Sequence, residues 1–239
     1  MNDLSYFLNV IIKKISLYMK IITKIGMGHW SKWWKKSDKG VLLVFGVAIF
    51  LLVFLSIYMS IIADNEFLFY NLGAIVLFLL LSYLNRLLIL DSGKAMAILV
   101  IYGLNLLGAL VYIGGHKLYG FWIIQDIFRY DNVVHFCVLL VITVLVFGLL
   151  EFYFDVKMKH PIFMIFIAMI AAQGFGTWVE MMELIASSML GAGENVGGYL
   201  DNAVDLVWNM FGTIAAAIFL FFVKIKPIYS ELKNSRLWQ

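Results

Sequence analysis

Six stretches of about twenty mostly apolar residues constrain this chain more than any other feature. They lie at 41–62, 67–90, 94–114, 130–152, 161–186 and 203–223. Twenty residues of α-helix rise about 30 Å, the thickness of a bilayer's hydrocarbon core. Backbone in lipid must satisfy its own N–H and C=O groups, so each stretch is expected as a spanning helix. No proline interrupts them. Pro161 opens the fifth, where its missing N–H is no loss, and Pro227 follows the sixth. With 63% hydrophobic and 14% charged residues, the chain is too apolar to bury in a water-soluble core. The expected fold is all-α: a polytopic membrane helical bundle of about six transmembrane helices, plus an N-terminal amphipathic interfacial helix. Three parts follow: an anchor at 1–40, the bundle at 41–226 with its motif-bearing part at 130–215, and a tail at 227–239.

The anchor reading rests on Leu4, Leu8, Ile11, Ile15, Tyr18 and Ile22 at helical spacing, with Lys13, Lys20 and Lys24 on other faces. Lysines spread through the pattern do not make the basic head and clean apolar stretch of a cleavable leader. "HWSKWWKK" (29–36) sets three Trp among Lys, suited to the headgroup zone and to anionic lipid, which also explains these residues without nucleic acid. Six spans put the N-terminus, the second and fourth connections and the C-terminus on one side. That side holds sixteen of the eighteen basic residues; the other holds Lys117 and Arg129. The positive-inside rule then assigns both termini to the cytoplasm and the chain to the cell (inner) membrane, with 63–66, 115–129 and 187–202 facing outward. The single Cys137 excludes an intramolecular disulfide and a cysteine metal site. "GAGENVGG" (191–198) lacks the Gly-Lys-Ser/Thr ending of a phosphate loop and reads as a connector.

The polar residues of the last three spans are unusual in their depth. Asp131 and His135 begin the fourth span, Glu180 and Glu183 lie near the outer end of the fifth, and Asp201, Asp205 and Asn209 begin the sixth. Spacings of three and four place each set on one helix face. Gly212 continues the sixth-span face and would admit a close neighbour. An ionisable group facing lipid costs on the order of 3 kcal/mol, so these faces are expected to turn inward together. Each residue also has a plain structural reading. Asp131 and Asp201 could be helix N-caps, Glu183 could be solvated among headgroups, and His135 could be a packing residue.

Carboxylates with one imidazole and an Asn suit a divalent metal ion such as Zn, Mn or Mg. The candidate ligands are Asp131, His135, Glu180, Glu183, Asp201, Asp205 and Asn209. The candidate catalytic groups are His135, Glu180 and Asp205, which without metal could serve as an acid–base couple or proton relay. No zinc-protease, serine-hydrolase or di-iron motif is present.

"YDNVVHF" (130–136) resembles the opening motif of YjdF-type bacterial inner-membrane proteins and the Asp-Lys-x-x-His-Phe of VanZ-like proteins. "EMME" (180–183) and "DNAVD" (201–205) resemble the Glu-x-x-Glu and Asp-x-x-x-Asp of the YjdF type, and "DLVWNMFG" (205–212) the Asp-x-x-x-Asn-x-x-Gly of VanZ. Leu184 replaces a Trp frequent in the YjdF type, and 184–204 lacks the VanZ arginine. The resemblance implies a cell-envelope setting and the same polar cluster. VanZ-like proteins are associated with lowered teicoplanin sensitivity, which names no reaction.

The expected function is an outward-facing carboxylate–His pocket that engages a lipid or lipid-linked envelope substrate, with or without a metal. The alternatives are a proton- or cation-coupled carrier and a non-catalytic accessory or lipid-binding protein. A carrier would need polar residues continuing inward. Asn105 and Gln173 are read as mid-membrane and Arg86 as near the inner end, where it would snorkel.

Overall fold

A computed structural model of the protein describes residues 39–61, 65–85, 87–154, 161–190 and 199–226. The amphipathic anchor, Arg86, the glycine-rich connector and the tail from 227 onward lie outside the described residues.

Among the described residues the bundle has six α-helices: α1 (Lys39–Ile61), α2 (Asn65–Leu84), α3 (Ser92–Leu110), α4 (Tyr130–Tyr153), α5 (Pro161–Leu190) and α6 (Tyr199–Leu220), the last continuing into a π-helical turn at Phe221–Ile225. Five are long and apolar enough to cross a membrane; the apolar part of α2, Leu68–Leu84, is shorter. The 20 residues of α2 still rise about 30 Å. In α1, Val41, Phe45, Ala48, Leu52, Ser56 and Met59 form a buried stripe at helical spacing. Leu43, Phe50, Leu51 and Phe54 of the same helix are exposed, as lipid-facing residues should be.

The helices pack as two groups of three. In the first, Phe45, Leu52, Ala74, Phe78 and Ala95 share a core. Phe45 stacks on Phe78 at 5.3 Å and Tyr102 meets Phe78 edge-on at 5.2 Å. Asn71 is fully buried among α1, α2 and α3. It donates to the Leu52 carbonyl (2.8 Å) and Ser56 Oγ (2.6 Å) and accepts from Tyr102 (3.2 Å). In the second group α4 packs most extensively against α6, then α5. Toward the end of α4 and the start of α5 it is closed by Phe147, Met164, Ala168 and Leu220. Contacts of α3 with α4 join the two groups.

Several boundaries differ from the sequence reading. The second helix stops at Leu84, not 90, because the Leu90 N–H turns back to the Asn85 carbonyl and Ile89 takes φ 52°. The third stops at Leu110, not 114. There the chain enters a hairpin, β1 (Tyr112–Ile113) with β2 (His116–Lys117), turning at Gly114 and Gly115 with φ of 61° and 86°. A second hairpin, β3 (Trp122–Ile124) with β4 (Phe128–Arg129), leads directly into α4. The fifth helix runs to Leu190 rather than 186, so its 30 residues, about 45 Å, exceed the hydrocarbon thickness.

Candidate functional site

The β3–β4 hairpin ends where α4 begins, and this junction starts the site. Arg129 is the N-cap of α4, and its backbone N–H donates to Asn132 Oδ1 at 2.9 Å. Asn132 Nδ2 then donates to Asp205 Oδ1 on α6 at 3.0 Å. One buried amide thus completes the start of α4 and ties it to α6. Asp131, one residue inside α4, is not the cap; its carboxylate faces His135 Nε2 one turn on, 3.6 Å away.

His135 stands among all three helices. Its Nδ1 lies 3.2 Å from Asn209 Oδ1 and 3.3 Å from Glu180 Oε1. An amide oxygen only accepts, so Nδ1 carries a proton toward Asn209 while Nε2 faces the Asp131 carboxylate. The approach to Glu180 is close, but it is not aligned as a hydrogen bond. Both Glu180 carboxylate oxygens and Asn209 Nδ2 are buried without a hydrogen-bond partner. Glu180 is 5% exposed and Asp205 2% exposed. The ligand atoms of Asp131, His135 and Asp205 all lie within 4.8 Å of one another. Two unit negative charges at that separation repel by on the order of 3 kcal/mol at an effective dielectric constant of about 20. Two buried carboxylates, Glu180 and Asp205, beside a half-buried Asp131 therefore call for a compensating cation, whether metal or proton.

Small residues make the convergence possible. A Cβ on Gly212 of α6 would overlap the Phe136 carbonyl oxygen of α4, so the two backbones touch there. A Cβ on Gly176 of α5 would come within 2.8 Å of Asn209 Nδ2. Glu180 lies ten residues, about 15 Å, from the end of α5, whereas His135 lies five residues, about 7.5 Å, from the start of α4. Their contact means that α5 projects about 7 Å beyond the start of α4.

The remaining sequence candidates sit around this centre. Asp201 is held in an ion pair with Arg129, away from His135. Glu183 is half-buried and joins no hydrogen bond or ion pair among the described residues. Its charge acts on Tyr119, whose phenol is pushed well above its ordinary pKa by burial and by the charges of Asp131 and Glu183. The Tyr119 ring packs on Gly108, and its hydroxyl bonds to Asn105. Asn105 is five residues from the end of α3, about 7.5 Å, so it belongs to the same end of the bundle rather than the middle. Gln173 is deeper, donating to Thr213 Oγ1 at 3.4 Å.

The sequence reading missed Asn132 and Tyr119. Asn132 precedes His135 by three residues and so shares its helix face, a signal that was available; nothing in the sequence brings Tyr119 back over α3. An open cleft of about 350 Å³ leads to Asn132 between the β3–β4 hairpin and the first turns of α6. Trp122, Ile127, Leu200 and Val204 form its apolar sides, with Asp126, Arg129 and Asp201 as its charged groups.

No curated protein and no solved structure matches the chain. A family described as "Predicted membrane protein (DUF2238)" matches residues 41–226. The match takes in the six helices but for the first two residues of α1, both hairpins and every residue of the polar centre. The chain therefore belongs to this DUF2238 family of membrane proteins.

Proposed function

We propose that the meeting of α4, α5 and α6 is a divalent-cation site (Zn, Mn or Mg) in the outer half of the membrane. It acts on the phosphoryl or carbonyl oxygen of a lipid or lipid-linked envelope substrate. The carrying observation is the gathering of Asp131, His135 and Asp205 ligand atoms within 4.8 Å, beside a Glu180 whose oxygens are buried and unpartnered. Ligand atoms about 2.1 Å from one cation stand roughly 3–4 Å apart, so side-chain adjustments below about 1 Å complete the site. His135 Nε2 joins Asp131 and Asp205 as ligands. Asn209 holds the opposite ring nitrogen and fixes the tautomer, as outer partners of metal-bound histidines do, with the Glu180 carboxylate beside it. A cation held there would supply Lewis-acid chemistry toward a substrate oxygen or a bound water, with Asp131, His135 and Asp205 as the residues that hold it.

The likeness of 130–136, 180–183 and 201–212 to YjdF-type and VanZ-like motifs supports this reading, since those motifs supply the converging residues. The distribution of basic residues supports a cell (inner) membrane setting with cytoplasmic termini, an outward-facing site, and an N-terminal segment held on anionic lipid. A carrier is less well supported. Inward of the Gln173–Thr213 bond the core is Phe147, Met164, Ala168 and Leu220, which offer no relay.

The test is metal content of the full chain in lipid nanodiscs after incubation with Mn or Zn and desalting. About one equivalent is expected in the wild type, with loss in Asp205→Asn and His135→Ala and retention in Gly148→Ala. A wild type that holds none, with variants that merely lose thermal stability, would make the cluster a hydrogen-bonded structural plug and overturn the proposal.

A further inference from the structure

Arg129 stands outside the polar centre, in the lining of the open cleft. Its guanidinium lies over the Trp122 ring at 5.3 Å and pairs with Asp201. The two side chains are only about a fifth exposed, at 21% and 18%. Cleft residues on either side differ in kind. Ile127 is 69% exposed and Leu200 is 77% exposed, both apolar. The floor is Asn132, whose amide donates to Asp205. The starts of α4 and α6 also border the cleft, and helix N-termini favour anions.

We propose that this cleft admits the headgroup of a lipid carrying a terminal phosphate, and that Arg129 exchanges Asp201 for that phosphate. The headgroup enters with its chains against Ile127 and Leu200. The guanidinium fork takes two phosphate oxygens in place of the Asp201 carboxylate that pairs with it. A third oxygen reaches the cation site just beyond Asn132; this second anchor rests on the site proposed above. Three free oxygens are found on a phosphomonoester or a terminal pyrophosphate, not on a phosphodiester, and this sets the substrate class. Asp201 acts as a latch that neutralises Arg129 until the anion replaces it.

The probe is dioleoylphosphatidic acid against dioleoylphosphatidylcholine, presented to the full chain with Mn in mixed micelles, with bound lipid counted by mass spectrometry. The wild type is expected to enrich the phosphomonoester about tenfold, and Arg129→Gln to bring the two lipids to parity. Asp201→Asn is the sharper variant. Removal of the competing carboxylate raises retention several-fold, whereas a purely structural ion pair would lower it. Lowered retention in Asp201→Asn, or no enrichment by a wild type that holds its metal, overturns the cleft and leaves the cation site standing. Enrichment that depends on Arg129 yet is unchanged by chelator and by Asp205→Asn supports the cleft and removes the cation. Complete displacement by millimolar inorganic phosphate identifies a soluble anion as the ligand and overturns the lipid assignment.

Discussion

Gly212→Ala probes the packing on which the polar centre depends. The added methyl would fall on the Phe136 carbonyl oxygen, with the Phe136 carbonyl carbon at 3.1 Å and the Leu140 amide nitrogen at 3.2 Å. All three are backbone atoms of α4, so no side-chain rotation relieves the overlap and α6 must move away. Overpacking of this kind costs about 1–3 kcal/mol. The displacement also stretches the Asn132–Asp205 bond from 3.0 Å and the His135–Asn209 bond from 3.2 Å, each worth about 1 kcal/mol. A total of about 3–5 kcal/mol corresponds to a thermal midpoint lower by roughly 6–20 °C for a chain of this size. The assay is thermal unfolding of the full chain in one detergent, followed by tryptophan fluorescence. Gly148→Ala is the control, since its Cβ would meet nothing within 4 Å and alanine is the better helix former. Metal content should fall in Gly212→Ala and stay in Gly148→Ala. A Gly212→Ala protein that melts at or above the wild-type midpoint would refute the close α4–α6 contact.

Asn71→Ala should lower stability by about 1–3 kcal/mol, since it removes three hydrogen bonds among α1, α2 and α3. Metal binding in the second helix group should survive, and equilibrium dialysis of the variant checks this. Lys224→Gln breaks only an exposed pair with Glu151 (3.1 Å), so its effect is expected below about 1 kcal/mol, seen as a nearly unchanged midpoint. Asp126→Cys in a Cys137→Ser background should react with a membrane-impermeant maleimide applied to intact cells, whereas Lys226→Cys should react only after permeabilisation; the reverse pattern would invert the assigned orientation.

The spanning helices were legible because lipid demands long apolar runs, and α4 to α6 begin within about four residues of the positions the runs indicate. Their grouping was not legible. Helices apolar on every side carry no periodic mark of which face meets protein, as α1 shows with Phe45 buried and Phe50 exposed. The hairpins at 112–129 were hidden because Ile123 and Ile124 stay exposed and give no alternating pattern. Within the polar centre, helical spacing and a common depth placed Asp131, His135, Glu180, Asp205 and Asn209 together. Asp201 had the same credentials, but the β3–β4 hairpin brings Arg129 against it, and that non-local contact decides its role.

Electron spin echo modulation of Mn(II) bound to the full chain tests the central claim most directly, because it reads nuclei within a few ångströms of the metal. The account predicts coupling to one histidine nitrogen, lost in His135→Gln and kept in His116→Gln. A Mn(II) signal that shows only water and phosphorus couplings, and is unchanged in His135→Gln, would contradict a cation held where α4, α5 and α6 meet.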